Sequence, residues 1–252
     1  MRILLEIWLL FKRKMLETIR QPVWVFMALT TPLLYISLFS PLLKNLSNPP
    51  LSTGKVLDAF VPGVLTLLAF IGGTGAGYGV IGELQTGVIE RLRVSPVSRF
   101  SLLMGTILRD IVAFLVPSVL VIFIAHLFGF KAHAGGLLVM LVLLSLLTAI
   151  ASAWSGSLGL ILKQASSMAA LVAGLELPLT LLSGVLLPIS LGPKWLQAIA
   201  HINPLYYVVE ASRVLGTGTI GDTEVFKAFA VIVPLVIVTL FWTTRVYRKA
   251  IS

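Results

Sequence analysis

The charged side chains best placed to meet a partner lie in one short segment, residues 81–100, between two long apolar stretches. The segment reads IGELQTGVIERLRVSPVSRF, and two glutamates precede its three arginines. Charges of both signs on a short helix would suit the docking of another protein through ion pairs. The charged residues are Glu83, Glu90, Arg91, Arg93 and Arg99.

A short helix is predicted within this segment, from about Gly87 to Val94. The Ser95–Pro96 pair ends it, because a residue that precedes proline disfavours the α conformation. From the residues alone two interpretations stay open. One is a solvated loop with the arginines expected on the cytoplasmic side, and the other is a docking helix for a cytoplasmic partner.

Other site chemistry finds little support in this sequence. The chain has no cysteine, which excludes disulfides, thiolate metal sites and cysteine nucleophiles. Its histidines, His126, His133 and His201, lack the spacing of a metal site. No G-x-x-x-x-G-K-S/T run offers a phosphate-binding loop. We therefore predict no catalytic, cofactor-binding or metal-binding residue, and if ATP drives this protein, another chain must bind it.

The composition places these residues in a membrane protein. Of 252 residues, 58% are hydrophobic and 12% are charged, whereas an average globular protein carries about 25% charged residues. Too little polar material remains to cover a water-facing surface, which excludes soluble globular, disordered and fibrous classes. Six stretches are long enough to span a bilayer: about Val23–Leu43, Ala59–Val80, Ile107–Phe130, Leu137–Leu162, Ser166–Ile189 and Phe226–Tyr247.

A further apolar stretch, Lys194–Leu215, is too polar for a lipid-facing helix and should break near Asn203 because Pro204 follows. We interpret it as a re-entrant or interfacial element. Glu210 and Arg213 are three residues apart, so they form either a structural pair on the extracellular side or part of an extracellular gate. The candidate gate residues are His201, Asn203, Pro204, Glu210 and Arg213.

The basic residues predict the orientation. With six spans, twelve lysines and arginines fall on the side that holds both termini and six on the other. The positive-inside rule then places both termini in the cytoplasm. The predicted fold is all-α and integral to the membrane, with six transmembrane helices, an amphipathic N-terminal interfacial helix and a re-entrant helical hairpin before the last span.

The first 20 residues are predicted to form the interfacial helix. Arg2, Glu6, Arg13, Glu17 and Arg20 recur along one helical face, with the basic face toward anionic headgroups. The apolar run is short and lacks a cleavage site, so it is not a signal peptide. The helix is either a topology-setting anchor or a surface for a partner subunit.

Polar and small residues inside the spans are candidates for packing or for the transport pathway. The stretch GGTGAGYG, residues 72–79, should allow close helix packing and a bendable half-span. A carboxylate near the centre of a span must face protein or water, so Glu176 either lines the pathway or bridges helices. The candidate pathway residues are Phe70, Tyr78 and Glu176. Arg109 and Asp110 are adjacent on a helix, and we expect each to pair elsewhere or to snorkel.

Two motifs resemble those of ATP-binding-cassette type 2 exporter permeases, in the branch that includes daunorubicin-resistance permeases. The run GVIERLRVSPVSR is similar to the family's cytoplasmic coupling segment, although Val88 replaces the usual threonine. The matching positions are Gly87, Glu90, Leu92, Ser95, Pro96 and Arg99. Residues 182–210 resemble a second family signature, at Pro188, Pro193, Trp195, Asn203 and Pro204.

The resemblance implies one transmembrane domain over residues 1–252, with an interfacial elbow helix (1–21), a coupling segment (81–99) and an extracellular-side re-entrant element (192–215). It implies a non-enzymatic permease subunit in the plasma membrane of a bacterium or archaeon, exporting a drug-like, lipid or glycan substrate. The residues expected to couple to the ATPase are Glu83, Gly87, Glu90, Arg91, Leu92, Arg93, Ser95, Pro96 and Arg99.

The resemblance also implies the partners. A second copy or a homologous permease would complete the pathway, and separate ATPase subunits would bind ATP and Mg. No nucleic acid is expected. The alternative is an ATP-independent channel or ion-coupled carrier. Carriers usually show several intramembrane ionisable groups and internal repeats, whereas Glu176 stands nearly alone here.

Overall fold

The computed structural model describes residues 2–20, 26, 29–30, 33–34, 37–38, 53–93, 97–131, 133–185 and 189–251. Within these ranges the chain is helical and contains no strand, which confirms the predicted all-α class. The helices are α1 (Arg2–Ile19), α2 (Thr53–Thr74), α3 (Ala76–Gln85), α4 (Val88–Arg93), α5 (Arg99–Leu127), α6 (Ala134–Leu162), α7 (Ala165–Leu181), α8 (Lys194–Ala200), α9 (Pro204–Gly216) and α10 (Thr223–Ile251), with a 3-10 turn at Ile189–Leu191.

Four helical stretches in the described ranges are long and apolar enough to cross a bilayer. They correspond to the second, third, fourth and sixth predicted spans. The helix of the third begins earlier than predicted, at Arg99, because the Ser98 hydroxyl caps it by accepting the Ser101 N–H at 3.0 Å. The four stretches are Phe60–Gln85, Arg99–Leu127, Ala134–Leu162 and Thr223–Lys249.

The fifth predicted span is a shorter helix than expected. It ends at Leu181 rather than Ile189, and its 17 residues lie at the short end of the lengths that can cross a bilayer. The chain turns at Gly184, whose φ of 77° lies in the left-handed region that favours glycine. The first predicted span, Val23–Leu43, lies outside the described residues apart from a few isolated helical positions.

Helix α6 is the centre of the bundle and packs against α2, α3, α5, α9 and α10. Its N-terminal half buries leucines such as Leu143, Leu144 and Leu147. Its C-terminal half instead buries small residues, among them Ala151, Ser155, Gly156 and Gly159. Small side chains let neighbouring backbones come close, so this half of α6 carries contacts between main chains.

The N-terminal helix α1 packs along α5. Leu10 is buried there, and a Cβ added to Gly105 would lie 2.8 Å from the Leu10 Cβ. The opposite side of α1 exposes large apolar groups, including Leu4 at 73%, Trp8 at 61% and Ile19 at 62%. An amphipathic helix with such a face suits the bilayer interface.

The predicted break at Asn203 is confirmed. Helix α8 ends at Ala200 and α9 begins at Pro204, with proline at the first helical position, where its missing N–H costs nothing. The Asn203 side-chain oxygen caps α9 by accepting the Leu205 N–H at 3.0 Å. The two helices therefore meet at a fixed, capped corner.

Candidate functional site

The coupling segment, residues 81–99, contains the predicted short helix. Gly87 has a φ of 70° and turns the chain out of α3, and the Arg91 N–H donates to the Gly87 carbonyl at 3.2 Å. Glu90 and Arg91 on α4 are exposed. Leu92 and Arg93 belong to the same helix, while Ser95 and Pro96 lie outside the described residues.

Glu83, at the start of the coupling segment, has a partner inside the molecule. Its carboxylate lies 2.9 Å from the Lys14 ammonium on α1, and only 17% and 10% of the two side chains are exposed. Glu83 thus fixes α3 to α1 and offers little surface to another protein. The charge pattern alone does not distinguish Glu83 from the exposed Glu90.

The C-terminal end of the coupling segment is also hydrogen-bonded to α1. The Glu6 carboxylate on α1 accepts the Ser98 backbone N–H and the Ser101 hydroxyl, each at 3.1 Å. Arg99, half-buried, begins α5 directly after Ser98. Helix α1 therefore holds both ends of the segment. Sequence reasoning placed Glu6 on the charged face of α1 but did not predict that Glu6, Lys14, Ser98 and Ser101 hold the segment, although a serine just before an apolar helical stretch is a signal for a helix cap.

The expectation for Arg109 and Asp110 was wrong. The Arg109 guanidinium contacts the Asp110 carboxylate directly, with 3.1 Å between Nη1 and Oδ1. Asp110 also accepts the Ser152 hydroxyl of α6 at 2.5 Å. Adjacent Cβ atoms point apart, but the long arginine side chain reaches back to a carboxylate that α6 holds in place.

The glycine-rich stretch makes the close packing that its spacing predicted. A Cβ on Gly73 would lie 2.6 Å from the Ala151 Cβ, and one on Gly77 would lie 2.5 Å from the Ser155 carbonyl oxygen. The Ser155 hydroxyl accepts the Gly77 N–H at 2.9 Å and donates to the Thr74 carbonyl. A side chain inserted into the backbone ladder interrupts a helix, which accounts for the boundary between α2 and α3 at Gly75.

The candidate pathway residues lie around this interruption. Phe70, Thr74 and Tyr78 recur every four residues, which places them on one face of the α2–α3 span. Phe70 is half-buried and Tyr78 is exposed. The half-buried Glu176 of α7 lies near the Thr74 hydroxyl. The structure therefore brings Glu176 to the face that carries the two aromatic rings.

The candidate gate residues form two linked groups at the corner between α8 and α9. Arg213 pairs with Glu210 at 2.9 Å and donates to the Gly184 carbonyl at 2.6 Å, so the predicted pair also holds the end of α7. The His201 ring packs edge-on against Tyr206 at 4.9 Å between centroids. Burial and, second, the Glu210 carboxylate raise the pKa of Tyr206 above its ordinary value.

A second contact joins this corner to α7. The Asn203 amide donates to the Leu179 carbonyl at 2.7 Å.

Within the described residues, no group of three or more histidine, aspartate and glutamate side chains could hold a metal ion.

Fold and site together define a multi-pass helical membrane protein in which a short helix between two spans exposes the charged residues Glu90 and Arg91. The family of ABC-2 type transporters matches residues 5–215. The chain belongs to this family, and the family is one of transport permeases rather than of catalytic subunits.

Individual relatives agree with this assignment. The ycf38 transport permease of Cyanophora paradoxa is 31% identical over 83% of this chain and 73% of its own length. The daunorubicin resistance ABC transporter permease protein DrrB1 of Streptomyces coeruleorubidus is 27% identical, over 90% of this chain and 81% of its own. The inner membrane transport permease YadH of Escherichia coli K12 is 28% identical over 59% of this chain and 57% of its own.

Proposed function

We propose that this chain is the membrane subunit of an exporter that is driven by ATP hydrolysis on separate ATPase subunits. Each ATPase would bind ATP and Mg itself, and two copies of the chain, or one copy and a homologous permease, would form the pathway. The observation that carries the proposal is the exposed pair Glu90 and Arg91 on α4, within a coupling segment whose two ends are fixed to α1, in a chain of the ABC-2 family.

The contacts around the coupling segment suggest how force would pass into the membrane. The exposed Glu90 and Arg91 would meet the ATPase through ion pairs. Because Lys14–Glu83 and Glu6–Ser98 fix both ends of the segment to α1, a push on α4 would move α1, α3 and the start of α5 together. We propose that this movement shifts access from the cytoplasm to the exterior.

The proposed topology follows from the same reasoning. Six spans, including α7 and the stretch Val23–Leu43, would leave both termini in the cytoplasm of a bacterial or archaeal cell, with α8 and α9 as a re-entrant gate on the outer side. Glu176 would line the pathway next to Thr74. By likeness to DrrB1, whose name refers to daunorubicin resistance, drug-like compounds are the first substrates to test, ahead of lipids and glycans.

Charge reversal on α4 tests the coupling. In proteoliposomes that contain the chain and its ATPase, the double variant Glu90→Lys, Arg91→Glu keeps the net charge and places opposite charges at the docking surface. We expect the compound transported per ATP hydrolysed to fall at least about tenfold, equivalent to about 1.4 kcal/mol. The matched control is Arg13→Glu, Glu17→Arg, an exposed pair on α1, which should couple normally. Normal coupling in the α4 variant would contradict the proposal.

Glu176→Gln tests the pathway separately. The amide keeps the size of the side chain and its contact with Thr74 but removes the charge. If the carboxylate contacts a cationic substrate, the variant should lose transport of cationic compounds more than of neutral ones. Unchanged transport of both would leave Glu176 as a bridge between α7 and α2.

A further inference from the structure

A groove with a volume of about 420 Å³ lies between the start of α5 and the end of α10. The described residues that line it are Arg99, Phe100, Thr244 and Arg248. Arg248 is exposed and Arg99 is half-buried. The proposed coupling and pathway do not use this groove, apart from Arg99, the last residue of the coupling segment.

The groove continues into apolar surface on both of its walls. On α10, Ile237 and Phe241 are 63% and 60% exposed, and they share a helical face with Thr244 and Arg248. On α5, Phe100 and Leu108 are eight residues apart, and both are exposed. The groove is thus the polar end of a strip that is otherwise suited to contact lipid chains.

The charge at this polar end is positive. Arg245 and Lys249 flank Arg248, and no acidic residue occurs between Phe241 and the last residue of the sequence. The nearby Glu6 carboxylate already accepts two hydrogen bonds at the start of α5, on the side that faces α1. The Thr244 hydroxyl donates to the Leu240 carbonyl of its own helix at 2.7 Å, and Arg99 and Arg248 are the lining residues that carry guanidinium groups. Guanidinium groups bind phosphate oxygens bidentately.

We propose that the groove binds the headgroup phosphate of an anionic phospholipid between Arg99 and Arg248. Its acyl chains would follow Phe100 and Leu108 on one side and Ile237 and Phe241 on the other. Basic pockets between membrane helices select anionic headgroups in this way. The lipid would fasten the end of the coupling segment to α10. This inference rests on the proposed insertion in a bilayer and not on ATP-driven export.

Fluorescence quenching by brominated lipids tests the site in the full-length chain. Phe100→Trp places a reporter in the groove once the native tryptophans are replaced by phenylalanine: Trp8, Trp24, Trp154, Trp195 and Trp242. The reporter chain is placed in phosphatidylcholine vesicles that contain either brominated phosphatidylglycerol or brominated phosphatidylcholine. We expect phosphatidylglycerol to associate with the groove at least about fivefold more strongly than phosphatidylcholine does, because one arginine near the membrane surface strengthens the binding of anionic lipid by about this factor.

Two variants distinguish a specific lipid site from a general electrostatic attraction of anionic lipid to basic side chains. Arg248→Gln should abolish most of the preference, whereas Arg245→Gln should keep it, because Arg245 stacks over the Phe241 ring at 4.3 Å and does not line the groove. No preference for phosphatidylglycerol, or equal losses in the two variants, would overturn the proposal. If the reporter chain does not fold, native mass spectrometry of the unmodified chain and of Arg248→Gln counts the phosphatidylglycerol retained, with the same expectations.

Two competitors identify the occupant. Millimolar inorganic phosphate should leave the fluorescence quenching unchanged. If phosphate instead reduced the quenching, the groove would be a site for a free anion. The purified ATPase should also leave the quenching unchanged. If the ATPase reduced the quenching, the groove would be assigned to that partner. Either result would overturn the lipid site. Because no step uses ATP, failure here is distinguishable from failure of the export proposal.

Discussion

Lys14 on α1 and Glu83 on α3 form an ion pair with 2.9 Å between Nζ and Oε1, largely shielded from solvent. The pair joins the N-terminal helix to the start of the coupling segment, and Glu6 joins the same helix to its end. Helix α1 thereby becomes part of the proposed mechanical link. The two interpretations of α1 from the sequence, a topology-setting anchor and a surface for a partner subunit, both stay predictions.

Breaking this pair should destabilise the chain. In Lys14→Ala the Glu83 charge is left shielded and unpaired, which costs on the order of 3 kcal/mol. The exchange Lys14→Glu, Glu83→Lys should recover most of that loss because it restores the pair in reverse. The free energy of unfolding in mixed micelles measures both the loss in Lys14→Ala and its recovery in the exchange variant. Arg13→Ala, which breaks an exposed pair, should cost less than about 1 kcal/mol. Equal costs for Lys14→Ala and Arg13→Ala would contradict the structural role.

Alanine substitutions at two neighbouring glycines of the α2–α3 span should change the stability of the chain in different directions. A Cβ on Gly73 meets the Ala151 Cβ at 2.6 Å and the Thr148 carbonyl oxygen at 2.8 Å, whereas a Cβ on Gly72 meets nothing within 4 Å. Gly73→Ala should therefore destabilise by about 1–3 kcal/mol through overpacking. Gly72→Ala should be neutral or stabilise by up to about 1 kcal/mol, from helix propensity.

Thermal unfolding of the two glycine variants, measured by circular dichroism in the same detergent, decides between these expectations. The comparison needs no knowledge of the substrate or the partner. Similar melting temperatures would mean that α2 and α6 are farther apart than the structure places them.

The features that were predictable from the sequence depend on local pattern. Continuous apolar stretches predicted the helices that contain Phe114, Leu143 and Ile232, and Pro204 predicted the break between α8 and α9. The end of α7 was not predictable, since the apolar pattern continues past Leu181 and the turn at Gly184 is held by Arg213 from α9.

The polar contacts were mostly beyond sequence reasoning for a related reason. Lys14 and Glu83 are far apart in the chain, as are Asp110 and Ser152, and no periodicity relates them. Their pairing depends on how the helices pack. The reach of Arg109 back to Asp110 likewise depends on Ser152, which lies on another helix. The positions of the charged residues were visible in the sequence, but their partners required the packed bundle.

Ser155 should matter more than its buried neighbour Ser157. The Ser155 hydroxyl bonds to the backbone of two other helices, at Thr74 of α2 and Gly77 of α3, whereas the Ser157 hydroxyl donates to Ala153 of its own helix at 2.9 Å. Ser155→Ala should cost about 1–3 kcal/mol, because two buried backbone groups lose a partner. Ser157→Ala leaves the Ala153 carbonyl in its helix bond and should cost less than about 1 kcal/mol. Unfolding in mixed micelles compares them, and an equal loss would remove Ser155 as the cause of the interruption at Gly75.

Asn203 has two separable roles at the corner between α8 and α9. Its side-chain oxygen caps α9 through the Leu205 N–H, and its amide donates to the Leu179 carbonyl on α7 at 2.7 Å. Serine is as good a cap but is too short to reach α7, and alanine does neither. Asn203→Ser should therefore cost about 1 kcal/mol, and Asn203→Ala about 1 kcal/mol more.

The free energies of unfolding of the two Asn203 variants test this division, and hydrogen exchange locates the loss. In both variants the backbone amides near the end of α7 should exchange faster, because the corner no longer holds that helix. Only Asn203→Ala should also speed exchange at the start of α9. If alanine and serine have the same effect on both segments, the cap contributes nothing. The corner would then be held by Pro204 and the Arg213 contact to Gly184.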